Sequence, residues 1–185
     1  MTKTEARKLA KARRAAVDLH TVGHAMAGVL FTLSAWQHAD TVLAFASMPD
    51  EPDTADILRQ ALAESKRLLL PRVLSRTEMD WVEITALSQL QPGAYGILEA
   101  PASLPAFDTA LLGDGALALI PCLAASPDGV RLGRGGGYYD RFLAHYKGRR
   151  LLVCSTAALL GDLPCEGWDV RFSPHEILTE KGILL

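Results

Sequence analysis

Short, unbroken apolar runs alternate with helix-forming stretches along this chain, and that alternation narrows the fold more than any other feature. Thr41 to Ser47, Arg67 to Leu70, Ala116 to Ile120 and Leu151 to Ser155 read as buried strands. A basic, alanine-rich stretch from Thr4 to Asp18 reads as helix, as does Gly23 to Gln37, where Met26, Val29, Leu30 and Leu33 fall at helical spacing. Thr54 opens a third helix through Glu64 as its N-cap, with Asp56 in the first turn. Tyr138 to Tyr146 is a fourth. Trp81 to Ile84 alternates like an exposed-edge strand, and Gln91 to Pro105 reads as loop. Strands linked by helices predict an α/β fold: one domain over residues 1–185, a three-layer sandwich with a largely parallel sheet and helices on both faces. In such folds ligands gather beyond the carboxyl ends of the strands. The loops after Ser47, Ile120 and Ser155 are therefore the places to look.

One of these regions carries a dense chemical signal. Arg131-Leu132-Gly133-Arg134-Gly135-Gly136-Gly137-Tyr138-Tyr139-Asp140 packs four glycines into five positions, between arginines and a helical start. Successive glycines reach positive φ and let their N–H groups converge on an anion. A helix beginning after them adds the positive end of its dipole. Arg131 and Arg134 supply planar donor forks suited to phosphate. Asp140 is a hard oxygen ligand of the kind Mg²⁺ uses. The competing reading is a plain glycine turn between strand and helix, but the flanking charges favour a nucleotide-triphosphate site. The segment lacks Gly-Lys-Ser/Thr and the Gly-x-Gly-x-x-Gly spacing, so it is neither a Walker loop nor a dinucleotide fingerprint.

Composition removes other classes. Hydrophobic residues are 49% and charged residues 22% of the chain, with a net charge of −2, so nothing points to nucleic acid or a membrane as partner. The apolar runs are too short to span a bilayer. Cys122, Cys154 and Cys165 form no Cys-x-x-Cys pair, and an odd count without a leader predicts a reducing cytoplasm, with each thiol in the core. Five scattered histidines argue against a zinc site.

The glycine segment closely resembles the hallmark of the 5-formyltetrahydrofolate cyclo-ligase family, also called methenyltetrahydrofolate synthetases. Other segments resemble the same family in the same order, from about Lys3 to Glu180. Lys3 and Arg7, four apart on one helical face, stand where the family contacts ATP phosphates. Phe45 to Thr54 resembles the folate-side loop, with Met48 able to pack on a pterin ring and Glu51 or Asp53 able to accept its paired donors. The loop's carboxylates could equally decorate the start of the next helix. Pro71-Arg72, Gly96 to Pro101, Leu119 to Pro121, Leu163 to Asp169 and Ile177 to Glu180 complete the series.

The resemblance implies an ATP- and Mg²⁺-dependent ring closure of 5-formyltetrahydrofolate to 5,10-methenyltetrahydrofolate by a cytoplasmic monomer. It implies Arg131, Arg134 and Tyr139 as catalytic residues, and Lys3, Arg7 and Arg131 through Tyr139 as the nucleotide site. For the folate it implies Met48, Glu51, Asp53, Gly135, Gly136 and Tyr138; for the metal, Asp140 and Asp169. Tyr138 and Tyr139 have two readings, as stacking rings or, for at least one, as core. Departures from the family pattern fall mainly on the folate side: Ala125-Ser126, Cys154 to Ala158, Trp168 and Phe172-Ser173. They leave open a paralogue with the same ATP site and another small substrate, or a nucleotide-binding module without activity.

Overall fold

The structure, a computed structural model, describes residues 1–93 and 97–185. Among these, α1 (Lys3–Arg14), α2 (Leu19–Thr32) and α3 (Ser34–Gln37) precede β1 (Thr41–Leu43). Helix α4 (Ala55–Ala63) leads into β2 (Arg67–Val73) and β3 (Met79–Ile84), followed by a small ladder of β4 (Gln91–Pro92) and β5 (Leu98–Glu99). Then come β6 (Ala116–Pro121), the hairpin β7 (Ala124–Ala125) and β8 (Arg131–Leu132), α5 (Tyr138–His145), β9 (Arg149–Val153), β10 (Ile177–Thr179) and β11 (Gly182–Ile183).

Seven strands form one sheet in the order β11-β10-β9-β6-β1-β2-β3. The five inner strands run parallel, and β3 and β11 pair antiparallel at the two edges. Side-chain alternation sorts the buried residues onto two faces. Val42, Leu68, Leu70, Leu117, Leu119 and Val153 lie under α2, α3 and α4, against Met26, Leu30, Trp36 and Ile57. Leu43, Leu69, Ala118, Ile120 and Leu152 lie on the other face, against Leu143 of α5, Trp81 and Phe172. The expected α/β sandwich is therefore present, with helices on both faces. No helix among the described residues is long and apolar enough to cross a membrane.

The connections locate the ligand crevice. From β1 the chain crosses through α4 to β2; from the adjacent β6 it crosses through α5 to β9, on the opposite side. The strand order thus switches direction between β1 and β6, where open α/β sheets hold ligands. Helix α1 lies over this end of the sheet. Its Ala6 and Ala10 are wholly buried against Leu123, Ala124, Val130 and Leu132 of the β7–β8 hairpin and against Leu160 and Leu163. Two alanines one turn apart allow that close approach.

Several boundaries differ from the sequence reading. Helix α1 ends at Arg14, not Asp18, because Asp18 caps α2 by accepting from the His20 amide at 3.1 Å. The helix expected from Gly23 to Gln37 starts earlier, at Leu19, and is broken by extended backbone at Leu33. The run from Thr41 to Ser47 is strand only to Leu43. β2 continues through Pro71 to Val73, which is tolerated because β1 pairs with it only as far as Leu69. Trp81 is buried despite its edge strand, covered by Tyr139 and Phe142 of α5. Thr54 sits at the start of α4 without capping it. Its hydroxyl instead donates to the Phe45 carbonyl at 2.7 Å and accepts from the Ser47 amide at 3.1 Å. Cys122 and Cys154 are buried as expected, but Cys165 is exposed. Gly96, the first residue of a segment used in the family resemblance, lies outside the described residues.

Candidate active site

The glycine loop emerges from β8 and runs straight into α5. Gly135 (φ 100°) and Gly137 (φ 67°) occupy the left-handed region that side chains disfavour. Gly137 begins α5 with no side chain capping the helix, so the first-turn amides remain available to an anion. Helix α1 closes the loop from the other side: Arg7 Nε donates to the Gly133 carbonyl at 3.1 Å. Lys3, Arg7, Ala10 and Arg14 recur at i, i+4, i+7 and i+11, which is one stripe of the helix.

The acidic loop after β1 meets the glycine loop directly. Arg134 NH2 donates to Glu51 Oε1 at 2.9 Å and to Asp50 Oδ1 at 2.5 Å. Glu51 is only 8% exposed, and its other oxygen accepts from the Met48 amide at 3.0 Å. Met48, Glu51, Asp53, Leu58, Leu87 and Leu98 border a largely apolar cavity of about 490 Å³. Asp53 faces that cavity with both oxygens engaged, by the His20 ring at 2.8 Å and the Ala55 amide at 2.8 Å. Asp53 thus caps α4 in place of Thr54. Asp50 also accepts from Arg14, through its backbone carbonyl at 2.5 Å and its side chain at 3.0 Å. Burial raises the Asp50 pKa, but bonds to Arg134 and the charges of Arg134 and Arg14 outweigh it and hold the carboxyl below its ordinary value.

Two further carboxylates lie on the nucleotide side. Asp140 Oδ1 accepts from Arg131 NH2 at 2.8 Å, and Asp169 Oδ2 from Lys3 Nζ at 2.8 Å. Lys3 also reaches Glu166 at 2.7 Å. Burial raises the Asp169 pKa, yet the Lys3 bond and the charges of Lys3 and Arg131 bring it below normal. Among the described residues no group of three or more His, Cys, Asp or Glu side chains gathers as a protein-only metal cage. Two carboxylates, each now balanced by one cation, nevertheless suit Mg²⁺, which commonly takes one or two protein oxygens and completes its shell with phosphate and water.

The two tyrosines separate. Tyr138 points away from the acidic loop: its hydroxyl donates to the Ser75 carbonyl at 2.8 Å, and its ring borders a second cavity of about 620 Å³ between α5 and β3. Tyr139 lies edge-on to Trp81, with the Arg131 guanidinium 5.9 Å from its ring. Burial, and then the negative charge of Glu51, push its phenol well above its ordinary pKa, so it stays a neutral hydroxyl. Of the residues singled out from sequence, Lys3, Arg7, Arg131, Leu132 through Gly137, Tyr139, Asp140 and Asp169 gather around the glycine loop, and Met48, Glu51 and Asp53 border the apolar cavity. Arg14 and Asp50 were missed as site residues. The α1 stripe could have found Arg14; nothing in sequence pairs it with Asp50.

Fold and site together define an α/β protein whose glycine loop opens into an uncapped helix start beside a largely apolar cavity. The family model for the 5-formyltetrahydrofolate cyclo-ligase family matches residues 2–180, and the chain belongs to that family. It is 30% identical over 152 residues to the 5-formyltetrahydrofolate cyclo-ligase of Mycolicibacterium smegmatis, covering 78% of this chain and 76% of that one. It is 31% identical over 137 residues to that of Escherichia coli K12, covering 71% and 74%. The NMR structure of Aquifex aeolicus 5,10-methenyltetrahydrofolate synthetase superposes with a TM-score of 0.82 at 26% identity, covering 100% of this chain and 92% of that one.

Proposed function

We propose that this protein uses ATP and Mg²⁺ to close 5-formyltetrahydrofolate to 5,10-methenyltetrahydrofolate, as a cytoplasmic monomer. Family membership supports the reaction. The observation that supports the site assignment is the bond from Arg134 to Glu51, which joins the glycine loop to the acidic loop at the edge of the apolar cavity.

The formyl oxygen is a poor leaving group. In the proposed reaction it takes the terminal phosphoryl group of ATP as ADP departs. The second folate nitrogen then attacks the formyl carbon; phosphate leaves with the oxygen, and the nitrogen's proton passes to solvent. Catalysis of this kind is mostly positioning and charge neutralisation. The amides of Leu132 through Tyr139, with Lys3, Arg7, Arg131 and Arg134, would hold the phosphates. Asp140 and Asp169 would hold Mg²⁺, which supplies charge neutralisation on the phosphates. Met48 would pack on the pterin, and Glu51, with Asp53 beside it, would accept its paired donors. Both carboxylates already have partners on both oxygens, Arg134 and the Met48 amide for Glu51, the His20 ring and the Ala55 amide for Asp53, but only Glu51 is held by a cation of the glycine loop, which a phosphate would draw away. Gly135 and Gly136 lie between the two ligands. Tyr139, neutral at physiological pH, orients Arg131 through its ring. Tyr138, whose hydroxyl donates to the Ser75 carbonyl, would fix the position of the loop.

A spectrophotometric assay tests the proposal. Methenyltetrahydrofolate should appear from 5-formyltetrahydrofolate only when both ATP and Mg²⁺ are present. A folded sample that produces none under those conditions overturns it.

A further inference from the structure

Arg14 is an unusual residue for the last turn of a surface helix. It is 2% exposed, and its Nε is buried with no hydrogen-bond partner among the described residues. Leaving a buried donor unpaired is costly, so packing alone is a poor reason for an arginine here. Its remaining nitrogens go to one residue, Asp50, through the backbone carbonyl and one carboxylate oxygen. The other oxygen of Asp50 receives Arg134 of the glycine loop, and Arg134 also holds Glu51. The four groups form an alternating chain, Arg14–Asp50–Arg134–Glu51, that begins in α1 and crosses both proposed half-sites.

We infer that Arg14 is a positioning residue that, through Asp50, ties Arg134 to both half-sites and so makes nucleotide and folate binding mutually dependent. This rests on the proposed function above. Phosphate competes with Glu51 for the Arg134 guanidinium. When phosphate takes it, Glu51 Oε1 loses a cation and becomes free to accept the pterin donors. Asp50, pinned by Arg14, keeps Arg134 within reach of both anions, so that one binding event is felt by the other. Without the pin, Arg134 loses its fixed anchor and each ligand meets its half-site independently. Linkage requires the effect to be reciprocal.

Calorimetry tests this on the intact protein. 5-Formyltetrahydrofolate is titrated with and without a saturating non-hydrolysable ATP analogue plus Mg²⁺, into wild type, Arg14→Gln and Asp50→Asn. In wild type the nucleotide should tighten folate binding by about fivefold or more, the lower end of ordinary coupling between sites. In both variants the ratio should fall to within about twofold of unity. Asp50→Asn cuts the same link from its more exposed end and covers the case in which Arg14→Gln fails to fold. Wild-type coupling retained in either folded variant overturns the inference, as does a wild type that binds both ligands without coupling. A wild type that binds neither ligand overturns the proposed function instead.

Discussion

The glycine-loop side and the acidic-loop side of the crevice solve different physical problems. The glycine loop is a continuous backbone device: amides, a helix start and arginines lie within ten residues, and its shape follows from positive φ at Gly135 and Gly137. The acidic side is a cavity made from pieces far apart in the chain: Leu19 of α2, Met48 and Glu51 of the loop, Leu58 of α4, and Leu87 and Leu98 beyond β3. The first depends on local conformation and charge, the second on how four segments pack. A change at one should therefore be read out as phosphate chemistry, and at the other as folate affinity.

The largest effect should come from the phosphate side. Asp140→Asn keeps the side-chain volume but removes the carboxylate charge beside Arg131. Turnover should fall by about a hundredfold or more, the usual scale for removing one preorganised electrostatic contact. The melting temperature should also drop, because Arg131 is left nearly buried without its anion. Near-normal kcat in a folded variant would remove Asp140 from the metal site.

On the acidic side, Glu51→Gln should weaken folate binding by about tenfold or more, as expected for losing a charge-assisted bond in a desolvated place. Nucleotide affinity should change far less. Calorimetric titration with each ligand separates the two, and equal losses for both would mean that the comparison between sides is wrong.

Gly23→Ala probes packing without touching charge. A Cβ at Gly23 would lie 2.1 Å from the Asp53 carbonyl oxygen, so α2 or the acidic loop must shift. KM for folate should rise several-fold while KM for ATP holds, with a melting-temperature loss in proportion to the strain. Unchanged KM for folate would show that the loop's position is not set by α2.

The smallest effect concerns pH. The Asp50 carboxyl titrates below its ordinary value because its arginine partners outweigh burial. Its contribution is present above the ordinary value of 3.8 and is lost as pH falls through the lower folded-state value. The pair with Arg134 is 40% and 39% exposed at its two ends, so its share is at most about 1 kcal/mol. Thermal melts should show Asp50→Asn slightly less stable than wild type at neutral pH, with the two curves converging in strong acid. A constant gap across that range would assign the loss to packing rather than to charge.

The two sides were also legible to different degrees. The parallel sheet and the glycine loop could be read because each depends on neighbours in sequence: apolar runs for strands, and glycines free to take positive φ ahead of a helix start for the loop. The boundaries that failed did so where tertiary partners intervened. Asp18 left α1 to cap α2, Thr54 turned from α4 to tie Phe45 and Ser47 together, and Trp81 was buried by a helix some 60 residues on. Arg72, read from sequence only as part of the Pro71-Arg72 family segment, pairs with Asp80 at 2.6 Å and holds the carbonyls of Pro101 and Leu104.

By itself, then, the sequence determined the fold class and the place of the glycine loop between a strand and a helix, since those follow from local periodicity and backbone freedom. Only the tertiary structure decided which charges meet. Arg134 could have faced solvent or phosphate alone; the switch in strand order between β1 and β6 brings the acidic loop against it, and α1, docked through Ala6 and Ala10, delivers Arg14 to Asp50. Residues 36 and 84 positions apart become partners because burial of distant apolar faces fixes where their backbones lie, and no local pattern encodes that distance.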